Sequence, residues 1–313
     1  MFVVLRALPG DPALLMAPVG SSMEDIERTR REFGLTGPWW AQYGAFLGDL
    51  LRGRFGRSLW LQQDALGVIA SRLPATLELS LAALGVAVAG GIALGALSVA
   101  RHRSGLESAT VWLGTLGMAV PNFVWGLLLI VTFGAFFRVL PISGRIAAEH
   151  EAAELTGSAL LDAILRGDAA ALASVLAHLV LPATALALPL LAAVFRTIRS
   201  DLLTALREDY VVTERMKGLR EARILGWRAL KNALIPTTTL VGVQLGFLIG
   251  GTVLVETIFT WPGIGQLTLQ AFQYRDFPLI QGIVMVYAVL VIGSNVAVDL
   301  LYAVLNPRIR LLA

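Results

Sequence analysis

Residues 208 to 236 read EDYVVTERMKGLREARILGWRALKNALIP, with ten charged side chains, six basic and four acidic. On either side lie apolar runs, ALASVLAHLVLPATALALPLLAAVF (171 to 195) and TTTLVGVQLGFLIGGTVLVETIF (237 to 259). Each exceeds the about 20 residues a helix needs to cross a hydrocarbon core. The charged stretch is therefore a loop at one membrane face, and its punctuation predicts order. Leu202, Leu203, Leu206, Tyr210, Val211 and Val212 fall near helical spacing, with Ser200 as predicted N-cap and Asp201 in the first turn. Gly218 stands where a left-handed C-cap ends a helix. A second helix then follows with Ile224, Leu225, Ala229 and Leu230 inward, and Pro236 marks entry into the next span. A basic stop-transfer loop needs neither the acidic residues nor the glycine and proline. A short charged helix held between two bundle helices suits docking into a groove on another protein.

The whole chain has the composition that such a loop implies. Of 313 residues 56% are hydrophobic and 15% charged, against about 25% charged in a soluble domain. This is an all-α polytopic membrane protein. Glycine, at 31 residues, favours close helix packing. The net charge of +3 does not reflect a nucleic-acid surface, because the basic residues are not gathered in one patch with interleaved aromatics. There is no cysteine, which excludes disulfides and thiolate metal sites.

Apolar runs predict five spans, at 75 to 100, 109 to 137, 171 to 195, 236 to 260 and 279 to 305. The connections alternate in basic content. RHRSGLES (101 to 108) has two Arg, 196 to 235 has nine Lys or Arg, and the NPRIRLLA tail has two, whereas 138 to 170 has three and 261 to 278 has one. The positive-inside rule places the first group in the cytoplasm and the second outside. Residues 10 to 74 then lie outside as well. MFVVLRALPGDP has only about eight apolar residues, about 12 Å of helix, and residues 1 to 9 read as the outer end of a first transmembrane helix. The external segment 10 to 74 is expected to be amphipathic and partly helical. Ser22 is a predicted N-cap, Gly34 a stop, and Trp39, Trp40, Tyr43, Phe46, Phe55 and Trp60 are rings suited to a membrane surface or to packing on the bundle.

Chemistry is mostly excluded. Neither Lys217 nor Lys231 follows a glycine, so the chain has no P-loop and cannot hydrolyse ATP through a Walker site of its own. There is no GxSxG elbow, and the string at His150 and Glu151 has Glu154 where a zinc protease needs His. His102, His150 and His178 fall in separate segments. The polar residues inside spans remain: Asn122, Gln244, Glu256, Asn295 and Asp299 should avoid lipid, since a central carboxylate costs roughly 2.5 to 3.5 kcal/mol. Asn122, Gln244, Glu256 and Asn295 are candidates for a translocation path. Gln244 equally suits an interhelical hydrogen bond, Glu256 a cap or salt bridge, and Asp299 a pair with Arg308 or Arg310. Gly242, Gly246 and Gly250 share one helix face and predict a close helix contact.

EDYVVTERMKGL followed by RALKNALIP resembles the coupling loop, the EAA-type motif, of ABC importer membrane subunits of the dipeptide and oligopeptide permease branch, which includes nickel systems. LPGDP, LLRGRFGRSL, RLPATLELS, VPNFVWGLLL, LPISG, HLVLPATALALP, VETIFTWPGIGQL and VDLLYAVLNPRIR also resemble that branch, in its order. Glu214 and Met216 depart from it, standing where alanine is common. The resemblance implies a type I ABC importer transmembrane fold, with five full transmembrane helices and the remnant of a first. By domain it gives the remnant at 1 to 9, the external segment 10 to 74, a bundle at 75 to 305 containing the coupling loop 196 to 235, and a cytoplasmic tail 306 to 313. Asp209, Tyr210, Thr213, Glu214, Arg215, Lys217 and Gly218 would couple to an ATPase. The implied function is a permease subunit that forms the path for short peptides or a related solute in a bacterial-type inner membrane. It would hold no cofactor, ATP being bound by its partners. Those partners are a second homologous permease, two ATPase subunits, an external substrate-binding protein and the bilayer. An ion-coupled secondary transporter or channel, with Glu256 and Asp299 as ion sites, is the alternative.

Overall fold

The structure, a computed structural model, describes residues 21–32, 37–101, 104–150 and 155–305. The predicted remnant at 1 to 9, the Gly34 stop, the arginines proposed to pair with Asp299 and the tail 306 to 313 lie outside them. Two short helices come first, α1 (Met23–Glu32) and α2 (Trp39–Leu51). Ser22 caps α1 as the sequence predicts: its Oγ accepts from Asp25 N at 3.2 Å, and its own N–H donates to the Asp25 carboxyl at 3.1 Å.

The chain continues with α3 (Ala65–Ala100), then α4 (Gly105–Ala119), α5 (Asn122–Leu129) and α6 (Ala159–Arg166), then α7 (Ala169–Ala205) and α8 (Asp209–Met216), then α9, which runs Glu221–Gly250. The chain ends in α10 (Thr252–Ile258), α11 (Ile264–Gln273) and α12 (Phe277–Leu305). Side-chain caps fix the starts: Asp64 accepts from Gly67 N, Ser158 from Leu161 N, and Asp168 from Ala170 N and Ala171 N.

Helices α3 and α7 form the central pair. Their backbones approach closely because Gly91 and Gly95 face Val194 and Ile198; an added Cβ would stand 2.7 Å and 2.6 Å from those side chains. Leu79, Ala83, Ala87, Leu186, Val194, Ile198 and Leu202 fill the seam, all buried. α12 packs on α9 through Gly242, where a Cβ would collide with Val298, and through Gly246, which faces Val291 and Ser294. Gly250, the third member of the predicted glycine face, meets open space.

Among the described residues four helices are long and apolar enough to span a membrane: α3, α7, α9 and residues 277 to 298 of α12. The predicted span at 109 to 137 is not one rod. It breaks between α4 and α5 with a bend of 113°, so a fifth crossing counts only if the two arms are joined. The cause is local: Val120 is extended, as the residue before a proline tends to be, and Pro121 restarts the helix. The other arm continues past α5 as a widened π-type stretch, Ile130–Phe136. The predicted N-cap at Ser200 is also corrected. α7 runs unbroken through it to Ala205, because Ile198 and Leu202 are buried and Arg199 pairs with Glu107 at 2.6 Å.

At the end of the bundle opposite α8, here the far end, a second cluster gathers Ala65, Ile69, Ile264, Leu267, Leu279 and Ile283. A clasp ties it together. Ser58 Oγ donates to Asp276 at 2.5 Å, Trp60 N donates to the same carboxyl at 3.1 Å, and Trp60 stacks on Tyr274 with ring centroids 4.3 Å apart. The aromatics of α2 are different: Trp39 and Trp40 stand exposed. Arg145, on the segment between α5 and α6, pairs with buried Glu78 of α3 at 2.5 Å and also donates to Gly157 O.

Candidate functional site

The chain leaves α7 through three tight backbone bonds, Leu206 N to Leu202 O, Arg207 N to Thr204 O and Glu208 N to Ala205 O. It re-forms as the eight residues of α8. Glu208 is an extended N-cap and Asp209 supplies an acidic side chain to the first turn. α8 ends at Gly218, whose φ is +77°. Gly218 N bonds Arg215 O at 2.9 Å and Leu219 N bonds Glu214 O at 3.2 Å, the paired bonds of a Schellman turn. α9 begins three residues later at Glu221 and widens into a π-type turn over Ile224–Ala229, with Ile224 and Ala229 buried as predicted. It passes through Pro236 without a break.

The two helices form a hairpin pinned from inside and at its rim. Val211 is fully buried. Tyr210 Oη accepts from Asn232 Nδ2 at 3.1 Å, Glu214 pairs with Arg228 at 3.1 Å, and Arg215 grips Glu221 with two bonds of 2.7 and 3.2 Å. Thr213 Oγ1 bonds back to Asp209 O. A cavity of about 350 Å³ opens beside the hairpin, lined by Asp201, Thr204, Glu208, Tyr210 and Asn232 among others. The seven predicted coupling residues thus share one hairpin but divide in role. Tyr210, Glu214 and Arg215 hold the hairpin's shape, Gly218 turns it, and Asp209, Thr213 and Lys217 face solvent.

Three contributors were missed in the sequence. Val212 is exposed, and with Met216 it makes an apolar pair one turn apart on the outer side of α8, Met216 being 77% exposed. Trp227 on α9 is 69% exposed. The signal was available, since Val212 and Met216 are four apart and a helix of this length buries only one face.

The candidate path residues separate. Asn122 and Gln244 line one cavity of about 210 Å³ with Met118, Pro189, Phe247 and Gly251, and Asn122 Nδ2 donates to Gly251 O at 3.2 Å. Asn295 lies across α9 in a larger groove of about 560 Å³, walled by Val243, Phe247, Val291 and Val298. Glu256 borders neither: it is fully buried near the far end, its Oε1 accepting from Thr76 Oγ1 at 2.8 Å and its Oε2 from Gln266 N at 3.0 Å.

A family model described as binding-protein-dependent transport system inner membrane component matches residues 87–311. The dipeptide transport system permease protein DppB of Escherichia coli K12 is 37% identical over 313 residues, covering 99% of this chain and 92% of that one. The di/tripeptide transport system permease protein DppB of Pseudomonas aeruginosa is 38% identical over 312 residues, with the same coverage. A solved structure of the MetNI methionine ABC transporter, in inward facing conformations, matches with a TM-score of 0.56 at 13% identity, over 76% of this chain and 96% of that chain. That likeness gives the type I importer fold, and the sequence relatives set aside the ion-coupled alternative. The chain belongs to the family of binding-protein-dependent transport system inner membrane components: it is a permease subunit of an ABC importer, and ATP hydrolysis resides in partner subunits.

Proposed function

We propose that the chain forms half of the path for short peptides and is driven through the α8 hairpin by an ATPase seated on Val212 and Met216. The observation that carries this reading is the hairpin itself. Four of its ten charged side chains are spent on internal pairs, while Val212 and Met216 give α8 an exposed apolar edge and its turn is set by a positive-φ glycine. An apolar ridge flanked by Asp209, Thr213 and Lys217 has the composition of an interface core with a polar rim. Coupling requires only that the ATPase bind this ridge differently in its two states.

The hairpin end is cytoplasmic in this reading, with residues 10 to 74 outside and the C-terminus inside. The partners are a second homologous permease, two ATPases, one under each permease, and a substrate-binding protein at the far end. Asn122 and Gln244 present neutral amides in an otherwise apolar cavity, which suits passage of a peptide backbone without tight retention. Asn295 belongs to the same proposal through the neighbouring groove. The names of the relatives support peptides as the solute.

The test is reconstitution of the full complex in proteoliposomes with labelled dipeptide. ATP-dependent accumulation that requires the binding protein is expected; accumulation driven by an ion gradient without ATP would overturn the reading. Because the chain has no cysteine, single labels report sidedness. Gln63→Cys, at an exposed position, should react with an impermeant thiol reagent in intact cells, and Lys217→Cys should not.

A further inference from the structure

Glu256 was a path candidate, yet it lines neither of the two cavities that hold the other candidates. Its carboxyl group is fully buried without a cationic partner among the described residues. A group so placed is costly unless its hydrogen bonds are made. Here they tie α3 to the consecutive helices α10 and α11, about 180 residues away along the chain. Thr76 Oγ1 of α3 donates to Glu256 Oε1 of α10, and the same hydroxyl accepts from Ile264 N of α11 at 2.8 Å. Gln266 N of α11 donates to Glu256 Oε2. Space for the carboxyl is made by glycine: a Cβ on Gly263 would collide with Glu256 Oε2, and one on Gly265 would stand 2.9 Å from it. Trp261, fully buried in the turn between the helices, adds a bond from Nε1 to Ala75 O at 2.9 Å.

The same helix pair begins at the edge of the amide-lined cavity. Gly251 lines that cavity and α10 starts at the next residue. Asn122, on the other arm of the broken helix, bonds Gly251 O. α10 then runs beside α5. Phe259 packs against Gly126 of α5 and its carbonyl accepts from Gly144 N at 2.9 Å. The pair α10–α11 thus follows directly on the cavity wall at Gly251 and is pinned at Glu256.

We infer that Glu256 is a positioning residue of the transport cycle: bonded to Thr76, it holds the α10–α11 pair as an outer cover over the cavity that Asn122 and Gln244 line. This rests on the proposed sidedness and path. Loss of the pin should loosen the cover without removing the bundle's main core, which lies along α3 and α7.

The experiment measures escape of entrapped labelled dipeptide from proteoliposomes holding the complete complex, without ATP or binding protein. Glu256→Ala should raise the leak about tenfold over wild type, the population change expected when two hydrogen bonds of a closed state are lost. Thr76→Val, which keeps the shape but removes the shared hydroxyl, should leak similarly. Glu256→Gln keeps an acceptor and should restore most of the seal, a graded response that general destabilisation would not give. If Glu256→Ala does not assemble, Thr76→Val and Glu256→Gln carry the test. An assembled Glu256→Ala or Thr76→Val variant as tight as wild type would overturn the inference. Because the leak assay uses no ATP, it decides this point even if ATP-driven dipeptide uptake fails in wild type, an outcome that overturns the peptide reading alone.

Discussion

The two helix hairpins at opposite ends of the molecule are built on contrary principles. At one end α8 folds against the start of α9 with three fully buried side chains, Val211, Ile224 and Ala229, and ion pairs partly open to solvent; Arg228 keeps 55% of its side chain exposed. At the other end α10 folds against α11 around Glu256, Phe259, Trp261, Ile264 and Leu267, all buried. The first holds its shape while leaving an apolar edge uncovered. The second hides its carboxyl along with the apolar groups around it, and leaves only Leu254 and Phe272 of its large apolar side chains within α10 and α11 exposed. An element that must be gripped and moved by another protein needs a free face and a stiff internal shape, whereas an element that seals a path needs contacts on every side.

The largest expected effect breaks the buried end. Trp261→Ala removes a fully buried indole and its bond to Ala75 O, and should destabilise the protein by about 3 to 5 kcal/mol. Recovery of assembled complex and its thermal unfolding temperature should both drop. The equivalent change at the other hairpin, Trp227→Ala, should leave the unfolding temperature unchanged, because that ring is exposed.

Next in size is Gly218→Val. A Cβ there meets no atom within 4 Å, so the penalty is conformational only, roughly 1 to 2 kcal/mol for the left-handed region. Assembly of the permease should persist while uptake and binding-protein stimulation of ATP hydrolysis fall sharply. Full uptake in this variant would remove the coupling role from the hairpin. Met216→Glu should leave stability within about 0.5 kcal/mol of wild type, yet weaken ATPase attachment about tenfold, read by co-purification and titration. Breaking the rim pair with Arg228→Ala should cost less than about 1 kcal/mol, visible as faster amide exchange over 209 to 218 with little loss of uptake.

The smallest effect is an acid response near the segment between α5 and α6. Burial works to raise the Asp162 carboxyl, but hydrogen bonds from the Thr156 side chain and from Leu155 N and Thr156 N outweigh it and hold the group below its ordinary value. A carboxyl lowered on folding contributes stability above its unfolded value, near about 4, and loses it as pH falls through the lowered folded value. Amides 155 and 156 should therefore exchange faster below about pH 4, and Asp162→Asn should remove that dependence.

The α8 hairpin was largely legible because its signals are local. Gly218 announces a left-handed turn, and Ile224 and Ala229 mark a buried face by spacing alone. The error at Ser200 has a physical reason: a capping residue starts a helix only where no packed helix already runs through it, and Leu202 anchors α7 beyond that point. The break at Pro121 was hidden because hydropathy stays high on both sides of it. The role of Glu256 could not be read at all, since its partner Thr76 lies 180 residues away and the two glycines that make room for it look like ordinary turn residues.

The length of α7 has a mechanical consequence. Its 37 residues make a rod of about 55 Å, and a tilt of about 5° carries its tip through about 5 Å, nearly one helical turn. The rod is not uniform, since Pro182 and Pro189 lie near its middle and each removes a backbone bond and softens the helix there. Pro189 also forms part of the wall of the amide-lined cavity. A stroke delivered at the α8 end would therefore be spent largely as a flexure at mid-length, beside the cavity, and only the remainder would reach the far tip.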